Sequence, residues 1–482
     1  MGNSMKTKLI LGGPGAGKTT RLLEILDGEF INGLDPSQVA FVSFTKKAVE
    51  TAKERAAEKF KIYKKDLIYF RTIHSIGFRE LGLSRNDVFN VDSLNKLSKL
   101  LNIKLSNVFT INSPFQSTEG DKALFIENYA RCTRRSLESV WEQLGEYTPW
   151  FQLKRFVNTL NDYKKAYGLF DFTDMLIEYL KTDEPLPVKV AIIDEAQDLN
   201  PLQWEVINMA FRNTEKVYLA GDDDQAIYKW SGADVPYFLG LKFDEKEVLP
   251  KSWRLGPEVF EYTQGIVKRI ESRYDKDWIS DTHESAVHFT RKPESLDDKL
   301  KEGSWYMLAR NKHFLKDYVE IARKMGLPYT FLGKSPFNKK EIRAIIDYEK
   351  IKKGEPINAD QMENVLDKMA MQKEDFNKLK EYPIWHDTMH GISSNNRMYY
   401  LSCLRNGYKL TDPPAININT IHSVKGGEAD NVLIMSDISQ RSYQNYQYDS
   451  DDEFRVMYVG MTRAINNLHI ILPKTIRYMP VV

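Results

Sequence analysis

The chain has 482 residues, 42% hydrophobic and 28% charged, and its 68 Lys and Arg face 67 Asp and Glu for a formal net charge of +1. That length exceeds one ordinary hydrophobic core, so two or more domains are expected, while the near-neutral balance argues against a protein that coats duplex nucleic acid by phosphate neutralisation alone. No apolar run approaches the ~18 residues that cross a bilayer, and Lys6 stands where an N-terminal acylation signal needs Ser or Thr. Two cysteines, Cys132 and Cys403, cannot complete a four-cysteine zinc site or ligate an iron–sulfur cluster, and are read as reduced thiols. A soluble, cytoplasmic protein with no membrane partner is expected.

In chain order, Leu9–Leu11 is a short buried strand, Gly12–Gly17 a glycine-rich turn and Thr19–Leu26 a helix. Val39–Phe44 is an apolar, β-rich run, followed by a helical stretch over Lys47–Phe60. From about Asn86 to Ala166 the periodicity is helical without clear strands. Strand signals return at Val188–Ile193, Lys216–Ala220, Ser304–Leu308, Ile416–Ile418, Val432–Met435 and His469–Leu472, with a charged helical stretch before the Ile416 strand. Strands alternating with helices imply parallel sheets. The expected fold is therefore α/β, two parallel-sheet domains each interrupted by a mainly helical insertion. The first domain is assigned to residues 1–87 and 167–250 with its insertion at 88–166, and the second to 251–345 and 414–482 with a short insertion at 346–413.

Gly12-Gly13-Pro14-Gly15-Ala16-Gly17-Lys18-Thr19 fits the phosphate-binding loop pattern completely. The glycines allow the backbone to wrap a phosphate with its N–H groups pointing inward. Lys18 is suited to the β- and γ-phosphates, Thr19 to a magnesium ion, and the helix N-terminus, where Thr20 follows, adds a favourable dipole. The apolar Val190–Ile193 run ends in Asp194-Glu195-Ala196-Gln197-Asp198. Asp194 is the candidate magnesium ligand, and Glu195 the group that orients or deprotonates the attacking water. ATP and Mg2+ are the expected cofactors.

These acidic residues resemble the second motif of superfamily 1 helicases of the UvrD/Rep/PcrA-like branch, and further matches follow in the order of that branch. They are Phe44-Thr45-Lys46-Lys47-Ala48, Arg71-Thr72-Ile73-His74-Ser75, Asp171-Phe172-Thr173-Asp174-Met175-Leu176 and Gly221-Asp222-Asp223-Asp224-Gln225. The last continues through Ile227-Tyr228-Lys229-Trp230-Ser231-Gly232-Ala233. Then come Ser252-Trp253-Arg254, Thr420-Ile421-His422-Ser423-Val424-Lys425-Gly426-Gly427-Glu428 and Tyr458-Val459-Gly460-Met461-Thr462-Arg463-Ala464. The resemblance implies two RecA-like P-loop domains. It also implies that Gln225 senses the γ-phosphate, and that Arg254 and Arg463, from the second domain, act as arginine fingers. Trp253 would stack on adenine where the family uses Tyr, and Glu428 would contact the ribose or help bind nucleotide. For a single strand the resemblance offers Phe44, Tyr228 and Trp230 for base stacking, and His74, Thr420 and His422 for backbone contacts. Arg131, Arg134, Arg135, Lys164 and Lys165 in the first insertion are candidates to line the strand path, with a solvated helix face the favoured reading.

The sequence departs from the family at three places. A Gln-containing segment that reads adenine is expected to be missing upstream of Gly12, Ser231 replaces an Arg, and the second insertion is short. No nuclease domain is expected beyond Ala464. The implied activity is ATP-driven movement on single-stranded DNA, 3′-to-5′, with strand separation at single-strand/duplex junctions and a possible loading or regulatory protein partner. The alternative is a DNA-stimulated translocase or partner-gated sensor without unwinding of its own. A regulatory nucleotide switch with no strand contact is disfavoured by Tyr228, Trp230 and His422.

Overall fold

A computed structural model describes residues 5–44, 46–106, 118–145, 148–296, 299–371 and 384–481. Met1, Gly2 and Thr45, which entered the sequence reading, lie outside them. The first sheet contains β1 (Lys6–Leu11), β2 (Val39–Ser43), β3 (Tyr69–Thr72), β4 (Val190–Ile193), β5 (Lys216–Gly221) and β6 (Glu245–Val248). Its spatial order is β3-β2-β4-β5-β1-β6. The second contains β7 (Ala286–Thr290), β8 (Trp305–Ala309), β9 (Tyr329–Phe331), β10 (Ile416–Thr420), β11 (Ala429–Met435) and β12 (Ala464–Ile471). Its order is β7-β12-β11-β8-β10-β9. All the strand pairs in both sheets are parallel, as expected of an α/β chain.

The residues explain the sheets. Leu9, Leu11, Val42, Ile193 and Leu219 enter one core of the first sheet. Their neighbours Ile10, Phe41, Ile192 and Ala220 enter another on the opposite face. Side chains alternate across a strand, so covering both faces with helices demands a continuous apolar run. Register then aligns the strand ends: Leu11 lies beside Gly221, Ile193 beside Leu219 and Ser43 beside Thr72. The loops after β1, β2, β4 and β5 therefore emerge along one edge, where open α/β sheets bind ligands.

Contacts divide the chain into two compact units, residues 1–254 with 267–281, and residues 255–266 with 282–482. The sequence reading breaks the chain four residues earlier and assigns 267–281 to the second domain. That segment stays with the first unit because Ser252 N donates to Ile279 O and Ile279 N to Pro250 O, both at 2.9 Å.

The helices Val91–Leu101, Glu119–Cys132, Leu137–Leu144 and Trp150–Tyr167 have a core of their own, built from residues such as Leu94, Ile126, Val140, Phe156 and Leu160. The helices Lys339–Lys353, Ala359–Met369, Trp385–Thr388 and Ser394–Arg405 do not. Their Ile345, Tyr348, Val365 and Tyr400 join one core with Trp305, Met307, Ile416 and Leu433 of the second sheet. Both cysteines are buried and free. Among the described residues no helix is long and apolar enough to cross a membrane.

Candidate active site

The loop after β1 turns on Gly15 at φ +70 and Gly17 at φ +81, a left-handed backbone that side chains with a Cβ adopt only at a cost. Ala16 N donates to Gly13 O at 3.1 Å, and Gly12 N to Gly221 O at 3.3 Å, so the loop is tightly closed and tied to the end of β5. Lys18 opens the helix Lys18–Ile31, and its Nζ donates to Gly12 O at 2.8 Å, across the loop. Thr19 Oγ1 donates to Asp194 Oδ2 at 3.2 Å, while Thr20 on the next position is exposed.

Asp194 lies just beyond β4, and Glu195 follows in a left-handed conformation at φ 56 and ψ 40, which turns the chain sharply at the strand end. Burial, reinforced by the neighbouring Glu195 carboxylate, pushes the Asp194 acid up to about 7 against the opposing pull of Lys18 and the Thr19 hydroxyl. Two acids forced together next to a hydroxyl make an oxygen set that a divalent cation relieves. Among the described residues no cluster of three or more His, Cys, Asp or Glu could hold a metal by itself.

Behind these acids runs a buried polar relay that the sequence motifs do not announce. Gln197, fully buried, donates from Nε2 to Glu195 Oε2 at 2.5 Å and accepts from Asp222 N at 3.0 Å. A Cβ on Gly221 would stand 2.6 Å from Gln197 Oε1, so this strand end requires glycine. Gln225 Nε2 in turn donates to Asp222 Oδ2 at 2.6 Å. Glu195 and Gln225, both named from sequence, are thus linked through Gln197 and Asp222.

Ser252-Trp253-Arg254 packs on the loop. Ser252 Oγ donates to Pro14 O at 2.7 Å, Trp253 N donates to Gly15 O at 2.9 Å, and a Cβ on Gly15 would meet Arg254 Cβ at 2.4 Å. These bonds place Arg254 in the first unit, correcting its expected attribution to the second. Trp253 is 67% exposed, with Lys251 Nζ 4.2 Å from its ring centroid. Trp278, absent from the sequence reading, lies where a Cβ on Gly13 would come within 2.5 Å of its ring.

The candidate strand contacts in the first unit cluster in part. Phe44 and Tyr228 stack on each other at 5.1 Å and 20°, and Trp230 meets Tyr228 edge-on at 6.3 Å. Tyr228 is buried, whereas Phe44 and Trp230 are half-buried. Ser231 Oγ donates to Tyr228 O at 2.8 Å, closing the turn. His74 stands apart, edge-on to Phe172 at 5.9 Å, and burial pulls its imidazole down to about 4 against the nearby Asp171 charge.

Arg131 and Lys164 are not on a solvated face, contrary to the sequence reading. Arg131 bonds Asp171 and Asp174, and Lys164 Nζ donates to Asp171 at 2.7 Å. Desolvation forces such long cations to find partners when helices pack over them. Arg134 bonds Glu205, Arg135 bonds Gln143, and Lys165 is exposed.

In the second unit, Thr420 and His422 are buried, with Thr420 Oγ1 sharing a hydrogen bond with Ser423 Oγ at 2.8 Å. Glu428 is exposed. Arg463 is 1% exposed. Its guanidinium donates to Val459 O at 2.8 Å, Gly427 O at 3.2 Å and Thr462 Oγ1 at 3.1 Å.

Comparison with known proteins agrees with this geometry. Residues 3–246 match the UvrD/REP helicase N-terminal domain, and residues 339–475 the UvrD-like helicase C-terminal domain. The chain is 23% identical over 383 residues to the ATP-dependent DNA helicase Rep of Buchnera aphidicola subsp. Baizongia pistaciae, covering 70% of this chain and 55% of the relative. It is 22% identical over 386 residues to the ATP-dependent DNA helicase PcrA of Staphylococcus aureus, covering 71% and 51%. The chain spans about half the length of these curated relatives.

Proposed function

The chain belongs to the UvrD/REP helicase family, and from that premise we propose that it is an ATP-driven motor on single-stranded DNA that separates strands, moving 3′-to-5′. The observation that carries this reading is the meeting of Lys18, Thr19, Asp194 and Glu195 on one edge of the first sheet. In it, Gly12, Gly13, Pro14, Gly15, Ala16 and Gly17 wrap the phosphates, Lys18 neutralises their charge, and Thr20 stands in the first turn of the helix beside them. Asp194 and Thr19 hold Mg2+, which supplies further neutralisation of the phosphate oxygens. Glu195 orients the water, Gln225 senses the γ-phosphate, and Arg254 and Arg463 stabilise transition-state charge. Trp253 offers an exposed π-face to adenine and Glu428 a carboxylate to the ribose. Phe44 and Trp230 offer half-buried rings to unstacked bases, Tyr228 backs Phe44, and His74, Thr420 and His422 are assigned contacts to the strand backbone. The protein acts in the cytoplasm on single strands and single-strand/duplex junctions, with a loading partner.

A second reading, a translocase or partner-gated sensor without unwinding of its own, draws on the second set of inserted helices. They share the core of the second sheet rather than folding on a core of their own, unlike the first set. Strand separation on duplexes with either a 3′ or a 5′ single-stranded tail decides between the two. Opening of the 3′-tailed duplex alone, lost in Lys18→Ala, is the expected result. Lys18-dependent hydrolysis stimulated by single strands with neither duplex opened favours the translocase. Hydrolysis that ignores both Lys18 and DNA overturns the motor reading.

A further inference from the structure

The segment 267–281 belongs to the first unit but is joined at both ends to chain of the second. From it Lys276 enters the acidic run that follows β5. Its side chain is wholly buried, and its Nζ lies 2.8 Å from Asp222 Oδ1, 2.6 Å from Asp223 Oδ1 and 2.8 Å from Asp224 Oδ2. Three adjacent carboxylates, each at most 2% exposed, repel one another strongly in so dry a place, and only charges and hydrogen bonds brought by other residues hold them there. Two of them have further partners on the same segment. Arg273 grips Asp224 with two bonds of 2.8 Å, and Tyr274 N donates to Asp223 Oδ2 at 2.8 Å. Asp222 is the one that turns toward the nucleotide site: its Oδ1 accepts from Lys276, and its Oδ2 accepts from Gln225 Nε2 at 2.6 Å.

We propose that Lys276 is a positioning residue for Gln225, acting through Asp222. The ammonium fixes Asp222 as an ionised acceptor in one rotamer. Asp222 then holds the Gln225 amide in one orientation for the γ-phosphate or the attacking water. A carboxylate bridging a fixed cation and a movable amide orients that amide as an outer partner orients a metal-bound imidazole. Deleting the cation leaves three buried acids to rotate apart or take up a proton, and Gln225 loses its reference. The inference rests on the proposed hydrolysis at this site.

The test compares Lys276→Met, the charge-balanced pair Lys276→Met/Asp223→Asn, Gln225→Ala and the pair Gln225→Ala/Lys276→Met. DNA-stimulated kcat is measured, together with affinity for ADP and for a non-hydrolysable ATP analogue. Lys276→Met, or the charge-balanced pair should the single change unfold, is expected to lower kcat at least tenfold. Analogue affinity should fall, while ADP affinity stays within threefold of the unaltered protein. In the Gln225→Ala background the same change should cost less than a further twofold, because the two residues act on one step. A merely structural role predicts equal losses of ADP and analogue affinity and the same fold-loss in both backgrounds, and that result overturns the proposal, as does an unchanged kcat. If the unaltered protein shows no Lys18-dependent hydrolysis, the motor reading fails and this inference with it. If that hydrolysis is present and only the Lys276 effect is missing, the inference fails alone.

Discussion

Gly15 illustrates how single residues bear on this site. Its φ of +70 suits glycine, and a methyl group there would stand 2.4 Å from Arg254 Cβ. Gly15→Ala therefore combines a left-handed backbone cost of about 1–2 kcal/mol with displacement of Arg254. Nucleotide affinity, read by fluorescence titration, should fall at least tenfold, whereas Gly33→Ala, with φ +88 and open space around it, carries the backbone cost alone and should leave affinity unchanged. The loop glycines, Lys18, Thr19 and Asp194 were legible in the sequence because their spacing is local and the chemistry of phosphate binding dictates it. Lys276 and Trp278 were not. Nothing in Ser272-Arg273-Tyr274-Asp275-Lys276 distinguishes a buried cation from a surface one, since its partners lie about fifty positions away.

Among the elements, the helix Phe172–Thr182 is started by Asp171, whose side chain accepts from Asp174 N while Asp174 reaches back, a reciprocal cap. Asp171 also holds Arg131 and Lys164. Asp171→Asn keeps a capping oxygen but removes the charge between two cations, whereas Asp171→Ala removes both. Breaking such a buried pair costs about 3–5 kcal/mol, and losing the cap about 1 kcal/mol more. Urea unfolding should therefore rank the unaltered protein above Asn, and Asn above Ala. The strands divide by position. All eight central strands were anticipated from the sequence, and the four missed, β3, β6, β7 and β9, are the four sheet edges. A central strand is covered on both faces and is therefore mostly apolar, as Val39–Ser43, buried at all its positions with Ser43 alone polar, shows. An edge such as Glu245-Lys246-Glu247-Val248 is exposed and charged, so its pairing leaves no periodic mark.

Across the whole molecule, each unit carries a histidine kept neutral by its surroundings: His74 in the first, and in the second His469. Burial first, then the stacked His288 ring and the Lys299 charge, pull His469 down to about 4. Both lie below the ordinary 6.5, so the unfolded chain binds protons that the folded chain refuses between pH 6.5 and 4. The stability these groups contribute is complete above 6.5 and is lost as pH falls through that window, by an order of 1–3 kcal/mol for each full shift. His469→Phe should flatten the decline between pH 6.5 and 4 in denaturant titrations and leave the slope above pH 7 unchanged. By itself the sequence determined the α/β class, the central strands, the phosphate loop and its acidic partners, because these follow from burial periodicity and from residues a few positions apart. Only the tertiary structure decided that 267–281 folds back onto the first unit, that Arg254 lies on the phosphate loop, that Arg131 and Lys164 are paired ions, and that the described helices of the second insertion share the core of the second sheet. Each of these depends on which distant groups exclude water together, and desolvation is a property of the packed assembly that no local pattern records.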